Sequence, residues 1–338
     1  MILIERNPHI DLLKGIAIIT VVIGHCWTLD SSVYNFIYSF HMPLFFCISG
    51  YLFSTKAPFK KFVISKAKSI LKPYAFYYLC SYLCAVLVFK TPMGILDGIK
   101  GLLLGGSYCG KVLNSPLWYL PLFFIASIVF YLVSKIRWRA VRYILIIAGA
   151  VASVPFNKML LAWFPDKLTP FNIQALLPAL FFMFAGNEFR KLDLTGIKSK
   201  LGSRGVFALV LVMLYFGMLM SRDNLDQIVS LFMTYEFYIY PLLIIPFIVF
   251  FACSTRNEYI EFIGAQSITI LGFHRLFLYA LQRIPGLGEF LNVTPGNRFV
   301  VTLFICAFCI FVICTGKKAY LSVKGRRLGL TALRKEKS

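Results

Sequence analysis

Two histidines set into apolar sequence, His25 and His41, are the residues of this chain best placed to do chemistry. His25 lies near the end of IDLLKGIAIITVVIGHCW, and His41 opens the run HMPLFFCISGYLF. An ionisable group at membrane depth is costly, so by default it marks a pathway or a reacting site. Imidazole titrates near neutrality and can take up and return a proton. Two such groups on adjoining segments point to chemistry or proton movement inside a membrane. Lys14 precedes His25 by about three helical turns, roughly 16 Å of axial rise, so both face one side of a helix. The pattern sets a cation at one mouth of a shaft and a base deep within it. The structural alternative for either histidine is a ring bonded to a backbone carbonyl inside the bundle.

Further groups stand near these in character. His274 and Arg275, in ILGFHRLF, fall mid-segment, and Glu236, in TYEFYIYP, is an intramembrane carboxylate. Pairing of Arg275 with Glu236 would lower the cost of burying both. Asp11, one turn before Lys14, is placed for an i, i+3 contact that orients the lysine. Trp118 and Tyr119 open a segment at an interface, where aromatic anchoring is the default; aromatic rings also stack on sugars. Asn187 and Glu188 close a segment, where solvated polar groups are ordinary.

The elements that must carry these residues follow from composition. The chain has 338 residues, of which 59% are hydrophobic and 17% aromatic, and its mean hydropathy is +0.77. Soluble domains run at about 45–50% apolar. A span needs about 20 predominantly apolar residues, and such stretches occur at 10–28, 34–54, 73–90, 117–136, 141–157, 172–189, 205–221, 228–252, 265–284 and 298–317. The expected fold is an all-α polytopic membrane protein, a bundle of about ten transmembrane helices. Residues 1–317 form a single membrane domain and 318–338 a basic tail. No internal repeat is visible.

Lys and Arg concentrate in the 55–72, 135–142 and 190–204 loops and in the tail, and are sparse in the alternate loops. That asymmetry puts both termini in the cytoplasm, with the tail against the anionic cytoplasmic leaflet. It also accounts for the net charge of +21 without nucleic acid as a partner. The first apolar stretch has no A-x-A-like site and reads as an uncleaved signal anchor. Eight of the nine cysteines fall in apolar stretches. The i, i+4 pair Cys80 and Cys84 and the i, i+3 pair Cys306 and Cys309 lack His or carboxylate neighbours, so no metal site is expected. Only Cys109 is loop-borne. It sits in the long 91–116 loop, whose Gly-rich DGIKGLLLGGSYCGK is either a re-entrant piece lining a cavity or an ordinary flexible loop. GLLLGG lacks the G-K-[ST] of a phosphate loop.

The run from Asp11 through His25, followed by SFHMPLFFCISGYLF, resembles the acyltransferase 3 family of integral-membrane acyltransferases, and within it the fucose 4-O-acetylase-like branch. Lys14 and His25 match the family's R/K-x10-H motif. Phe45, Phe46, Ser49, Gly50 and Tyr51 match its FF-x-x-SG-Y/F motif. Lys72-Pro73-Tyr74, LWYLP at 117–121 and GFHR at 272–275 are also similar to that branch. Where many relatives carry R-x-x-R before the third helix, this chain has Lys66, Lys68 and Lys72, which leaves open which cation meets the donor's phosphates.

The resemblance implies transfer of an acetyl group from cytoplasmic acetyl-CoA to a hydroxyl of a surface polysaccharide or its lipid-linked precursor. The setting would be the bacterial cytoplasmic (inner) membrane, among membrane lipids and glycan-assembly proteins. His25 would be the general base, a role commonly worth about 10²–10⁴-fold, with His41 orienting it, contacting the thioester or sharing the proton. Lys14, Lys68 and Lys72 would hold the donor's phosphates. Trp118, Tyr119, His274 and Arg275 would hold or support the acceptor side. Succinyl or other acyl transfer is an alternative within this class, and an acetyl-histidine intermediate stays open. The alternative outside it is a proton-coupled transporter or flippase for a sugar or lipid-linked glycan.

Overall fold

The structure is a computed structural model. It describes residues 7–29, 31–164, 166, 169–192, 230–287, 294 and 297–335, with scattered positions between 202 and 219. The described residues are helical, without strands. In chain order the elements are α1 (Pro8–Gly24), α2 (Ser31–Tyr51), α3 (Phe59–Val88), α4 (Ile95–Leu104), α5 (Tyr119–Ser134), α6 (Arg139–Trp163), α7 (Leu176–Phe189), α8 (Glu236–Ser254), α9 (Glu258–Ala265), α10 (Ser267–Gln282) and α11 (Arg298–Lys335). Five of the described helical stretches are long and apolar enough to cross a membrane: Phe59–Val88, Ser115–Ser134, Arg139–Trp163, Glu236–Ser254 and Arg298–Lys318. The expected segment at 205–221 lies outside the fully described residues.

Several elements differ from their expected bounds. α3 starts at Phe59, so much of the lysine-rich loop is helix. No Gly interrupts it, and its one breaker, Pro73, sits just after a π-helical turn over Ala67–Leu71. The wider turn accommodates a residue that lacks an N–H and crowds the preceding carbonyls. α6 runs on past Pro155 to Trp163. The backbone of α11 continues as helix through Lys335, beyond the expected span.

The 91–116 region is folded rather than a flexible loop. It forms α4, a 3-10 turn at Gly106–Val112 and the start of another at Ser115–Trp118. Cys109, Val112 and Asn114 within it are fully buried, and burial pushes the Cys109 thiol up to about 12, so it stays protonated and packs as a small apolar group. Asn114 Nδ2 donates to Ser81 Oγ and to the Gly272 carbonyl, both at 2.8 Å. One side chain thereby ties this region to α3 and α10.

The two histidine-bearing helices are seated by close backbone contacts. A Cβ on Gly50 would run into the Met183 carbonyl, and one on Gly186 into the Cys47 carbonyl, so α2 and α7 touch main chain to main chain. Gly15 and Gly264 do the same for α1 and α9, against the Ile260 and Asp11 carbonyls. Small residues that let helices approach are the usual packing device inside a membrane, where apolar burial alone does not bring helices together. The motif glycine Gly50 thus fixes the position of the helix carrying His41. At the far end of α1, Thr28 Oγ1 and Thr302 Oγ1 share a hydrogen bond of 2.7 Å, which joins the α1–α2 hairpin to the start of α11.

Candidate active site

Three histidines meet below the α1–α2 hairpin. His25 caps the C-terminus of α1 with φ −101° and ψ 0°, outside helical geometry. The ring of His274, from α10, lies 5.3 Å from that of His25, centroid to centroid. Tyr38, from α2, touches both His25 and His41. Its hydroxyl lies 3.1 Å from His25 Nδ1 and 3.2 Å from the Gly24 carbonyl, and its ring is 4.7 Å from that of His41. Tyr34 stacks on Tyr38 at 4.0 Å.

Backbone carbonyls orient the two buried rings. His41 Nδ1 donates to the Ile37 carbonyl at 2.8 Å. His274 Nδ1 donates to the Ile270 carbonyl at 2.8 Å and is 3.1 Å from that of Leu271. A carbonyl can only accept, so both rings carry their proton on Nδ1 and present a lone pair at Nε2. His274 Nε2 is buried without a hydrogen-bond partner among the described residues. For His25 one assignment satisfies every group: Nδ1–H donates to Tyr38 Oη, and Tyr38 O–H donates to Gly24. That also leaves Nε2 as the free lone pair. The carbonyl-bonded histidine expected as a structural alternative is realised in His41 and His274, and in neither does it use up the second nitrogen.

Arg275 does not pair with Glu236. Glu236 is exposed at the first turn of α8, while Arg275 Nη1 donates to the His25 carbonyl at 3.0 Å. The expected pair fails because Glu236 begins its helix at the edge of the bundle, whereas Arg275 sits two turns into α10. Arg275 instead fixes the backbone that carries His25.

A cavity of about 550 Å³ opens on this cluster. His25, His41, Tyr34 and Tyr38 form one wall. Gly106, Gly110, Ser115 and Trp118 from the 91–116 region form another, and Asn172 and Gln174 a third. Asn172 and its neighbour Phe171 hold φ of 51° and 57°, a left-handed backbone that non-glycine residues seldom adopt. Strain of this kind persists where surrounding packing dictates it, often at binding sites. Tyr38, Asn172 and Gln174 escaped the sequence reading. Tyr38 is one turn before His41 on the same face, a signal that spacing alone could have supplied; the other two carry none.

A second cavity, of about 280 Å³, lies on the N-terminal side of α1. Lys14 lines it, held by Asp11 at 3.3 Å as the i, i+3 spacing suggests. Phe45 and Ser49 of the FF-x-x-SG motif line it too, with Tyr119 and Phe123 opposite. Its second cation is Lys66, whose Nζ lies 5.2 Å from the Phe123 ring centroid and 5.6 Å from that of Phe62. Lys68 and Lys72 lie off this cavity and are exposed. Two residues along a helix turn a side chain to the opposite face, and Lys68 lines a separate shallow groove with Lys60 and Lys61. Of the two interface aromatics, Trp118 lines the first cavity and Tyr119 the second. Among the described residues no cluster of His, Cys, Asp or Glu could hold a metal ion.

Comparison with known proteins adds two findings. The family described as "Acyltransferase domain", acyltransferase 3, matches residues 7–316. The nodulation protein NolL of Sinorhizobium fredii (strain NBRC 101917 / NGR234) is 39% identical over 86 residues, which cover 22% of this chain and 24% of NolL. The match thus spans about a quarter of that relative's length. No solved structure matches.

Proposed function

The chain belongs to the acyltransferase 3 family and is a multi-pass membrane acyltransferase; from that premise we propose that it moves an acetyl group from cytoplasmic acetyl-CoA to a hydroxyl of a cell-surface polysaccharide or its lipid-linked precursor. In this proposal the setting is the bacterial cytoplasmic membrane, crossed about ten times with both termini inside, and the chemistry is of the kind carried out by the fucose 4-O-acetylase-like branch that the motifs resemble. The observation that carries this reading is the end-to-end arrangement of a lysine-lined cavity and a histidine-lined one along the same face of α1.

In this reading the donor enters from the N-terminal side. Lys14 and Lys66 supply point charges for its phosphates, and the apolar walls around Phe45 and Phe123 take the thin acyl-pantetheine arm. The acceptor hydroxyl enters the larger cavity against Trp118, Asn172 and Gln174. His25 Nε2 takes the hydroxyl proton as the oxygen attacks the thioester carbonyl. The new C–O bond forms, the C–S bond breaks, and the departing sulfur receives the proton, giving an acetyl ester and free CoA. Tyr38 and Arg275 act as positioning residues through the ring and carbonyl of His25. His41 presents a further lone pair to the same space, while His274, fully buried, packs its ring against that of His25.

The test is transfer of radiolabelled acetyl from acetyl-CoA into the polysaccharide fraction of membranes that contain the protein, compared with the His25→Ala variant. Label with the wild type and none with the variant is the expected result. Equal label in both would remove His25 from the chemistry, and no label with the wild type would overturn the acetyl-transfer reading.

A further inference from the structure

The two cavities have two residues in common, Met42 and Leu271. Four wall elements change from one cavity to the other at that level. On α1, Ile18 lines the lysine-bearing cavity and Val21 the histidine-bearing one. On α2 the change runs from Phe45 through Met42 to His41, and on α10 from Ile268 to Leu271. At the start of α5 it falls between Tyr119 and Trp118. The cavities are therefore successive stretches of one shaft, and Met42 and Leu271, 8% and 7% exposed, line it where the two stretches meet.

We propose that Met42 and Leu271 form the partition of this shaft, and that Met42 sets how large an acyl group can pass from the donor to the acceptor. The inference rests on the acyl-transfer reading above. In that reading the cations that hold the donor lie on one side of the partition and the histidines on the other, so the thioester carbon must reach across it. Both side chains are apolar, so at rest they keep water and protons from running through the shaft. They differ in how readily they yield. Methionine is unbranched, with three rotatable bonds, and adapts to irregular space. Leu271 is branched, and its carbonyl lies 3.1 Å from His274 Nδ1, within the cluster that orients that ring. Met42 is the movable half and Leu271 the fixed half. A methionine that swings aside clears room for a short acyl group, whereas a longer chain must also displace Leu271.

The experiment measures label transferred into membrane polysaccharide from acetyl-CoA, propionyl-CoA and butyryl-CoA, for the full-length protein and its Met42→Ala and Leu271→Ala variants. The expected result is a butyryl-to-acetyl ratio raised about tenfold or more in Met42→Ala; butyryl is two methylenes longer than acetyl, and an apolar pocket already separates chains differing by one methylene by about tenfold or more. Met42→Phe is expected to lose most acetyl transfer while keeping thermal stabilisation by acetyl-CoA, which shows that it is folded and still binds the donor. An unchanged donor profile in both alanine variants overturns the partition while leaving acyl transfer intact. Should Met42→Ala fail to accumulate, the ratio in Leu271→Ala decides in the same way. A wild type that transfers none of the three groups overturns the acyl-transfer reading and the partition with it.

Discussion

The two ends of the shaft are built from different chemistry. The N-terminal-side cavity is narrow, about 280 Å³, with apolar and aromatic walls and the cations Lys14 and Lys66. The hairpin-side cavity is about 550 Å³ and carries imidazoles, phenols, amides and two serine hydroxyls. A cation holds an anionic group well but makes a poor base while charged. A neutral imidazole with a free Nε2 does the converse. Placing the two kinds of group at opposite ends of one shaft keeps the lysines' charge away from the rings that must accept a proton. The separation implies that variants at one end should act on turnover and variants at the other on donor binding.

The largest effect tests that division directly. His25→Ala is expected to lower acetyl transfer by about 10²–10⁴-fold, the usual worth of a general base. It should leave the thermal stabilisation by acetyl-CoA unchanged, because His25 lines only the hairpin-side cavity. Loss of both would merge the two ends into one site. A second break comes from packing: Gly50→Ala forces apart the α2 and α7 backbones and is expected to destabilise by ~1–3 kcal/mol, as overpacking does. It would be read as a lower melting temperature that affects both ends alike. If only donor binding fell, the contact would belong to one cavity rather than to the frame.

Much of this was legible along single helices. Lys14 and His25 share a face because they are about three turns apart, and Asp11 reaches Lys14 one turn away. The FF-x-x-SG motif reads out physically as wall (Phe45, Ser49), buried packing (Phe46) and close approach (Gly50). What depended on how separate helices cross was not legible. Arg275 meets the His25 carbonyl rather than Glu236 because of where α10 crosses α1, a distance of 250 positions along the chain. The 91–116 region carried the Gly signal of a cavity-lining piece, but its anchor, Asn114, looked like any loop asparagine.

A smaller change probes the hairpin side alone. Tyr38→Phe keeps the ring beside His25 and His41 and removes the hydroxyl that bonds His25 Nδ1 and Gly24. About a tenfold fall in kcat is expected, in line with the ~1.4 kcal/mol that a hydrogen bond of ordinary strength can carry. KM for acetyl-CoA should not move. A KM effect without a kcat effect would place Tyr38 with the donor instead.

The smallest expected effect separates Lys66 from Lys68 and Lys72, the two lysines of α3 that the sequence reading assigned to the donor's phosphates. Lys66 lines the donor-side cavity, half-buried over the rings of Phe62 and Phe123, whereas Lys68 and Lys72 are exposed off it. A phosphate drawn to the cavity mouth would meet Lys66 in partly desolvated surroundings, where a charge is screened less than at the surface. Lys66→Ala is expected to raise KM for acetyl-CoA several-fold with kcat nearly constant. Lys68→Ala should change neither, because any pull it exerts from the far face of α3 is screened by water and salt. Measured across ionic strength, the wild type should lose donor affinity as salt rises, and Lys66→Ala should lose less. If Lys68→Ala showed the larger KM change, the phosphates would sit in the groove with Lys60 and Lys61. The donor would then reach the shaft from outside the α3 wall rather than along it.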